Sequence, residues 1–341
     1  MPDKLRFGVL STAKIGLKKV IPAMQRGTLC EIAAIASRDL SSAQTAAEEL
    51  GIPKAYGSYE ELLADPQIDA IYNPLPNDLH VPWTIKAAQA GKHVLCEKPI
   101  ALTADEARTL LAVEQETGKV IAEAFMVKLH PQWLRTEELI RTGTIGSLRL
   151  VTGTFSFFND DPANIRNQPA HGGGALMDIG CYLIFAARQL FSAAAGKPVE
   201  PTRVISLVDR DPTTHIDRLT SFILDFPAGQ AIFSCSTQLV PSQRMQAFGT
   251  TGRIEIDIPF NAPPDRPSTL LVDSTGDFLK TGVTAETLPT VDQYTLQGDA
   301  FARAILDGTP PPVPVTAAIA NMTVIDAVIR SAWTGQWEPV R

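Results

Sequence analysis

The chain has 341 residues, 45% hydrophobic and 20% charged, enough for two ordinary globular cores. A net charge of −7 and a pI near 5.3 argue against a nucleic-acid partner, since domains that grip phosphate backbones carry a basic patch. Four scattered cysteines without a CxxC, and five histidines without metal-ligand spacing, predict free thiols, no disulfide framework and no metal.

The apolar run Leu5–Leu10 begins almost at once, leaving no room for an export signal. No uninterrupted apolar stretch approaches the roughly 20 residues of a membrane span, so the expectation is a cytoplasmic protein without a membrane partner. Strand-like runs follow at Phe7–Ser11, Glu31–Ala36, Ala70–Asn73, His93–Cys96 and Val120–Ala122, separated by helical patterns such as Ser41–Leu50 and Ala104–Glu116. Continuous apolar strands joined by helix-length connections predict an α/β, doubly wound parallel sheet over residues 1–125. Ser58 and Thr103 precede acidic first turns and read as helix caps.

After a helix over Pro131–Thr142 the period changes. Long β-rich runs occur at Leu148–Phe158, Arg203–Val208, Leu219–Phe226, Gln230–Leu239, Gln243–Gly249 and Arg253–Ile258. Short turn-like links at Phe226–Gln230 and Gly249–Gly252 predict that several neighbours pair antiparallel. Pro259–Pro267 reads as an irregular loop and residues 315–333 as a closing helix, giving a second, α+β domain over residues 126–341.

The first β-to-helix turn runs from Gly8 to Gly16. Laid on GxGxxG, it puts Ser11 and Ala13 at the first two glycine positions and keeps Gly16 for close helix packing. Such a turn aims backbone amides and a helix N-terminus at a pyrophosphate, and the hydroxyls of Ser11 and Thr12 add donors. The second strand ends in Ser37-Arg38. An NAD site places an acid there; a hydroxyl followed by arginine suits the 2′-phosphate of NADP, which is therefore favoured over NAD. The fourth strand ends in a proline-punctuated segment in which Asn77 caps a helix and His80 falls in its first turn, or both line the ribose and nicotinamide region.

Glu97-Lys98-Pro99 closes the fifth strand, where open α/β sheets bind ligands; proline fixes the chain direction there, a cis bond being one way to do so. Some eighty residues on, a glycine-rich stretch from Gly172 to Gly174 leads into a helix carrying Asp178 and Tyr182 at i and i+4, on one face. Cys96 and Cys181 flank these motifs and read as small buried hydrophobes. Phe155, Phe157 and Phe158 read as core or as the wall of a pocket for a flat substrate.

With these motifs, and with Phe125–Pro131 and Gly143–Gly146, nearly the whole chain resembles the glucose-fructose oxidoreductase, inositol dehydrogenase and MocA family. The resemblance implies a Rossmann domain, a second domain with a large open, mostly antiparallel sheet, and homodimers or homotetramers formed through that sheet. Tyr182, where many members carry histidine, the Ser11–Ala13 turn and the Asp161–Arg166 stretch are similar to the subgroup of NADP-dependent xylose dehydrogenases, dihydrodiol dehydrogenases and glucose-fructose oxidoreductase. It implies cofactor contacts from Ser11, Thr12, Ala13, Lys14, Ile15, Ser37, Arg38, Pro74, Leu75, Asn77, His80, Glu97, Lys98 and Arg166. Substrate contacts would come from Lys98, Lys128, Asp178 and Tyr182, Lys128 replacing an arginine common in the family.

The reaction so implied is hydride transfer between NADP(H) and a sugar, with oxidation of an aldopyranose at C1 to a lactone as the leading expectation. Tyr182 is the expected general acid/base, Lys98 its activator and Asp178 the group that orients hydroxyls; a proton taken directly by Lys98 is the alternative. Rival readings are a dihydrodiol or dicarbonyl dehydrogenase, an NAD-using glycosidase and a cofactor-binding protein without turnover.

Overall fold

In a computed structural model, which describes residues 4–279 and 281–341, six short runs form one parallel sheet. They are β1 (Leu5–Leu10), β2 (Cys30–Ala36), β3 (Lys54–Tyr56), β4 (Ala70–Asn73), β5 (His93–Glu97) and β6 (Ile121–Ala124), in the order β3-β2-β1-β4-β5-β6. All their pairings are parallel, as buried apolar strands joined through helices require. The connecting helices are α1 (Ile21–Gln25, continuing a π-helical turn over Gly16–Val20), α2 (Leu40–Leu50), α3 (Tyr59–Ala64), α4 (Asn77–Gln89) and α5 (Ala104–Thr117). Ser58 and Thr103 cap α3 and α5 as expected, each hydroxyl accepting the amide three residues on at 3.2 Å. Asn77 does not cap α4. It is the first helical residue, and Pro76 before it offers no side-chain acceptor.

The second sheet has nine strands in the order β14-β13-β12-β11-β7-β10-β9-β8-β15. These are β7 (Leu148–Phe158), β8 (Arg203–Arg210), β9 (Asp217–Phe226), β10 (Gly229–Ser236), β11 (Gln238–Gly249), β12 (Arg253–Ile256), β13 (Ser268–Asp273), β14 (Val283–Leu288) and β15 (Glu338–Pro339). Among the described residues of this sheet, only β7 and β10 pair parallel. The expected strand Gln230–Leu239 breaks at Thr237, whose amide bonds the Arg218 carbonyl and whose carbonyl takes the Asn159 amide. There the chain crosses the end of β7, because β10 and β11 lie on opposite sides of it. The row Val204, Leu224, Ala231, Val151, Ala247 and Ile254 runs across six strands and is buried throughout, whereas the next row, Ile205, Ile223, Ile232, Thr152 and Gln246, is partly exposed. The buried face lies under α6 (Pro131–Arg141), α7 (Cys181–Ala195) and part of α9 (Val315–Thr334).

The expected single boundary at residue 125 differs from the contacts. One compact unit comprises the chain to Leu129 together with Asp292–Ile319; the other comprises His130–Val291 with Ala320–Arg341. The reason lies in α8 (Gln293–Asp307): Phe301 packs on Phe7 of β1, and the Asp299 carboxylate accepts the amides of Thr28 and Leu29 at 2.9 Å. Two stretches, Pro169–Ala195 and Val315–Thr334, are long and apolar enough on average to cross a membrane, although each is interrupted by charged residues, Asp178 and Arg188 in one and Asp326 and Arg330 in the other. Of their apolar windows 89% and 50% are buried inside the protein, as core helices require.

Candidate active site

The strand order of the first unit reverses between β1 and β4, and ligands of open α/β sheets bind at that switch point. The turn after β1 begins at Ser11, which adopts φ +77°, a left-handed conformation otherwise left to glycine. It is held by its amide bond to the Ala36 carbonyl (2.9 Å) and by the Ala13 amide on its own hydroxyl (3.3 Å). Thr12, Ala13, Lys14 and Ile15 follow, and the helix starting at Gly16 has no side-chain cap. The chain's own acceptors take the Ala13 amide (the Ser11 hydroxyl) and the Leu17 amide (the Ala13 carbonyl, 3.0 Å), but no side chain caps Gly16, and a strand-to-helix turn of this kind suits a pyrophosphate. The expected packing role of Gly16 is not required: a Cβ there would meet its neighbours at an ordinary 3.8 Å. Close packing falls instead on Gly8, where a Cβ would come within 2.6 Å of Leu62.

At the end of β2, Ser37 accepts the Asp39 amide and Arg38 is exposed. Asp39 is the N-cap of α2, bonded to the amides and hydroxyls of Ser41 and Ser42, which hold its pKa below the usual carboxylate range. Asp39, the acid that follows Arg38, is thus engaged as a cap. The Lys98–Pro99 peptide is cis. Glu97 is held by the Tyr72 hydroxyl at 2.8 Å, and Lys98 beside it is half-buried.

His80 is 1% exposed and touches backbone, not open space: Nε2 lies 2.7 Å from the Leu75 carbonyl and Nδ1 2.7 Å from the Pro99 carbonyl. It ties the loops after β4 and β5 together, with Pro74 and Leu75 on one and Lys98 on the other. Burial pushes its pKa down to about 4 against the pull of both carbonyls, so near neutral pH one ring nitrogen donates to one carbonyl. Lys128 lies in a turn of 3-10 helix, Met126–Leu129, directly after β6.

In the second unit, Asp178 sits in a π-helical turn, Leu176–Gly180, that runs into α7, where Tyr182 lies. π-Helical turns of this kind recur at functional sites. Arg166 Nε donates to the Asp178 carboxylate at 2.7 Å. The Tyr182 ring, 5% exposed, belongs to an aromatic cluster with Phe155 (6.0 Å between centroids) and Phe260 (5.4 Å), and Phe260 stacks on Trp133. Phe155 is therefore part of the wall beside Tyr182, whereas Phe158 is exposed. All four cysteines are free and buried, and burial raises the Cys96 and Cys235 thiols, in keeping with inert hydrophobes.

Arg166, expected at the cofactor, donates to Asp178. Not foreseen were Trp133 and Phe260, which occur where no periodic pattern singles them out, and Asp217, which accepts the Leu176 amide at 2.7 Å. Burial raises the Asp217 carboxyl to about 6, against hydrogen bonds from Thr220 and Leu176.

The fold and the β1 turn define an oxidoreductase of the NAD(P)-binding Rossmann class. Residues 5–125 match the oxidoreductase family with an NAD-binding Rossmann fold, and residues 133–255 match the GFO/IDH/MocA C-terminal domain; the chain belongs to the GFO/IDH/MocA family. It is 40% identical over 333 residues to a D-xylose 1-dehydrogenase (NADP(+)) of Haloferax volcanii, covering 97% of this chain and 98% of that one. An aldose-aldose oxidoreductase of Caulobacter crescentus, solved with glycerol, superposes with a TM-score of 0.89 at 27% identity over 98% of this chain and 99% of that one. KijD10, a 3-ketoreductase of Actinomadura kijaniata solved with NADP and TDP-benzene, gives 0.88 at 29% identity over 96% and 98%.

Proposed function

We propose that the chain is an NADP-preferring dehydrogenase that oxidises an aldopyranose of xylose or glucose type at C1 to its lactone. The observation that carries this reading is the face of the Leu176–Ala195 helix, where Asp178, ion-paired to Arg166, lies one turn from Tyr182 in an aromatic wall. The likeness to a xylose dehydrogenase that uses NADP(+) supports the substrate class and the cofactor.

When bound, the nicotinamide supplies the hydride acceptor. Loss of hydride from a hemiacetal C1 leaves a cation-like carbon, so the O1 proton departs and the C1–O1 bond becomes the lactone carbonyl. Tyr182 takes that proton. A phenol with an ordinary pKa of ~10 needs a nearby cation to do so near neutrality, and that role is assigned to Lys98. Asp178, held by Arg166, orients the sugar hydroxyls, and Lys128 donates to the same substrate. Ser11, Thr12, Ala13, Lys14 and Ile15 hold the pyrophosphate; Ser37 and Arg38 hold the 2′-phosphate. Pro74, Leu75, Asn77 and Glu97 shape the ribose and nicotinamide end, with His80 acting through the Leu75 and Pro99 carbonyls.

The experiment is absorbance at 340 nm with NADP and a panel of aldoses. Turnover of pentoses or hexoses with NADP supports the reading; turnover confined to dihydrodiols or dicarbonyls would replace it with the second reading, which the Phe155, Phe260 and Trp133 wall favours. A cytoplasmic location and self-association through the partly exposed sheet row of Ile205, Ile223 and Ile232 complete the proposal. A monomeric mass at micromolar concentration would remove the self-association.

A further inference from the structure

We propose that Asp217, on β9, is a positioning residue for the helix that carries Asp178 and Tyr182. The inference rests on the reading above, in which Tyr182 is the acid/base. The helix begins at a π-helical turn whose own cap position, Ala175, offers no side-chain acceptor. Its first amides would be left without partners in a buried setting, which costs free energy.

Asp217 fills that gap from another element. Its Oδ2 accepts the Leu176 amide at 2.7 Å and the Thr220 hydroxyl at 2.7 Å. Its Oδ1 lies so close to Gly174 that a Cβ there would stand 2.0 Å away, and Gly174 has φ +118°, so only glycine admits the carboxylate. The Gly174 carbonyl in turn accepts the Asp178 amide at 3.0 Å, and the Gly174 amide bonds the carbonyl of Arg166, whose guanidinium holds Asp178. On the far side, a Cβ at Gly180 would come within 2.9 Å of Cys235 Sγ on β10. The segment is thus pinned at both ends of the π-helical turn, and Tyr182 lies two residues after the second pin, Gly180. A negative carboxylate at a helix N-terminus also meets the positive end of the helix dipole.

The test compares Asp217→Ala, Asp217→Asn, Tyr182→Phe and the double variant Asp217→Ala/Tyr182→Phe with NADP and the best aldose of the panel. Asp217→Ala should lower kcat by roughly 10- to 100-fold, the usual effect of misplacing a reacting group by about 1 Å, with the Kd for NADPH unchanged by fluorescence titration. Asp217→Asn keeps one oxygen for the Leu176 amide and should recover part of the loss; it also carries the test if the alanine variant does not fold. The double variant should be no slower than Tyr182→Phe alone, because both changes act on one group. Full kcat in Asp217→Ala beside a disabled Tyr182→Phe, an Asp217→Asn no faster than Asp217→Ala, or multiplicative losses in the double variant, would overturn the inference; if Asp217→Ala does not fold, multiplicative losses in Asp217→Asn/Tyr182→Phe would do so. Near-full turnover in Tyr182→Phe would instead overturn the tyrosine reading itself, and with it the route by which Asp217 acts.

Discussion

Two helices of this protein begin in the same unusual way and differ in what supplies their acceptors. The helix after β1 and the helix bearing Asp178 each start with a π-helical turn and no side-chain cap of their own. At the first, the acceptors come from the turn itself, the Ser11 hydroxyl taking the Ala13 amide, in a unit that matches an NAD-binding Rossmann fold. At the second, a carboxylate from β9, a distant element, takes the amide of Leu176. One start is closed by its own turn, the other by a side chain brought from another element.

The sharpest way to break this comparison is to remove the chemistry assigned to each unit. Lys98→Met and Tyr182→Phe should each lower turnover by roughly 10²- to 10⁴-fold while NADP affinity stays nearly constant, as loss of acid/base participation does. Equal losses of turnover and of cofactor affinity in a titration would show that these groups hold the dinucleotide instead.

Acid should next separate the neutral from the charged buried groups. The folded pKa of His80 is about 4, below the ordinary 6.5, so the unfolded chain binds its proton more readily. The resulting stability is fully present above pH 6.5 and is lost as pH falls from 6.5 through 4, by about 3 kcal/mol at most. His93 and His130, also lowered to about 4 by burial, act in the same direction. Asp217 opposes them: its folded pKa of about 6 exceeds the ordinary 3.8, so its ionisation weakens the fold as pH rises through that window. Denaturant melts of the wild type and His80→Asn between pH 6.5 and 4 should show a shallower loss in the variant.

Arg38→Ala should weaken NADP by roughly 10- to 100-fold, the worth of a charge-assisted contact to phosphate, and leave NAD within about twofold. Equal weakening of both would remove Arg38 from the 2′-phosphate. The smallest effect is expected at Ser11, where φ +77° strains any side chain and a β-branched one most. Ser11→Val should destabilise by about 1–2 kcal/mol in chemical denaturation, whereas Ser11→Gly should be nearly neutral. An unchanged Ser11→Val midpoint would show that the turn relaxes without strain.

Much of the fold is written locally. Parallel strands such as Ala70–Asn73, the caps Ser58 and Thr103, and the long run Leu148–Phe158 follow from apolar runs and turn residues, because burial and capping act over a few neighbours. The family was equally legible in Glu97-Lys98-Pro99 and in the Gly172–Tyr182 stretch. Tertiary structure decided what depends on distant partners: α8 joins the N-terminal unit because Phe301 finds Phe7 and Asp299 finds two amides some 270 positions away. It also turned Arg166 onto Asp178, assigned close packing to Gly8 where a pattern pointed to Gly16, and brought Asp217 to a helix 41 residues upstream. Periodicity records which face of an element is buried, but not which remote side chain completes its hydrogen bonds.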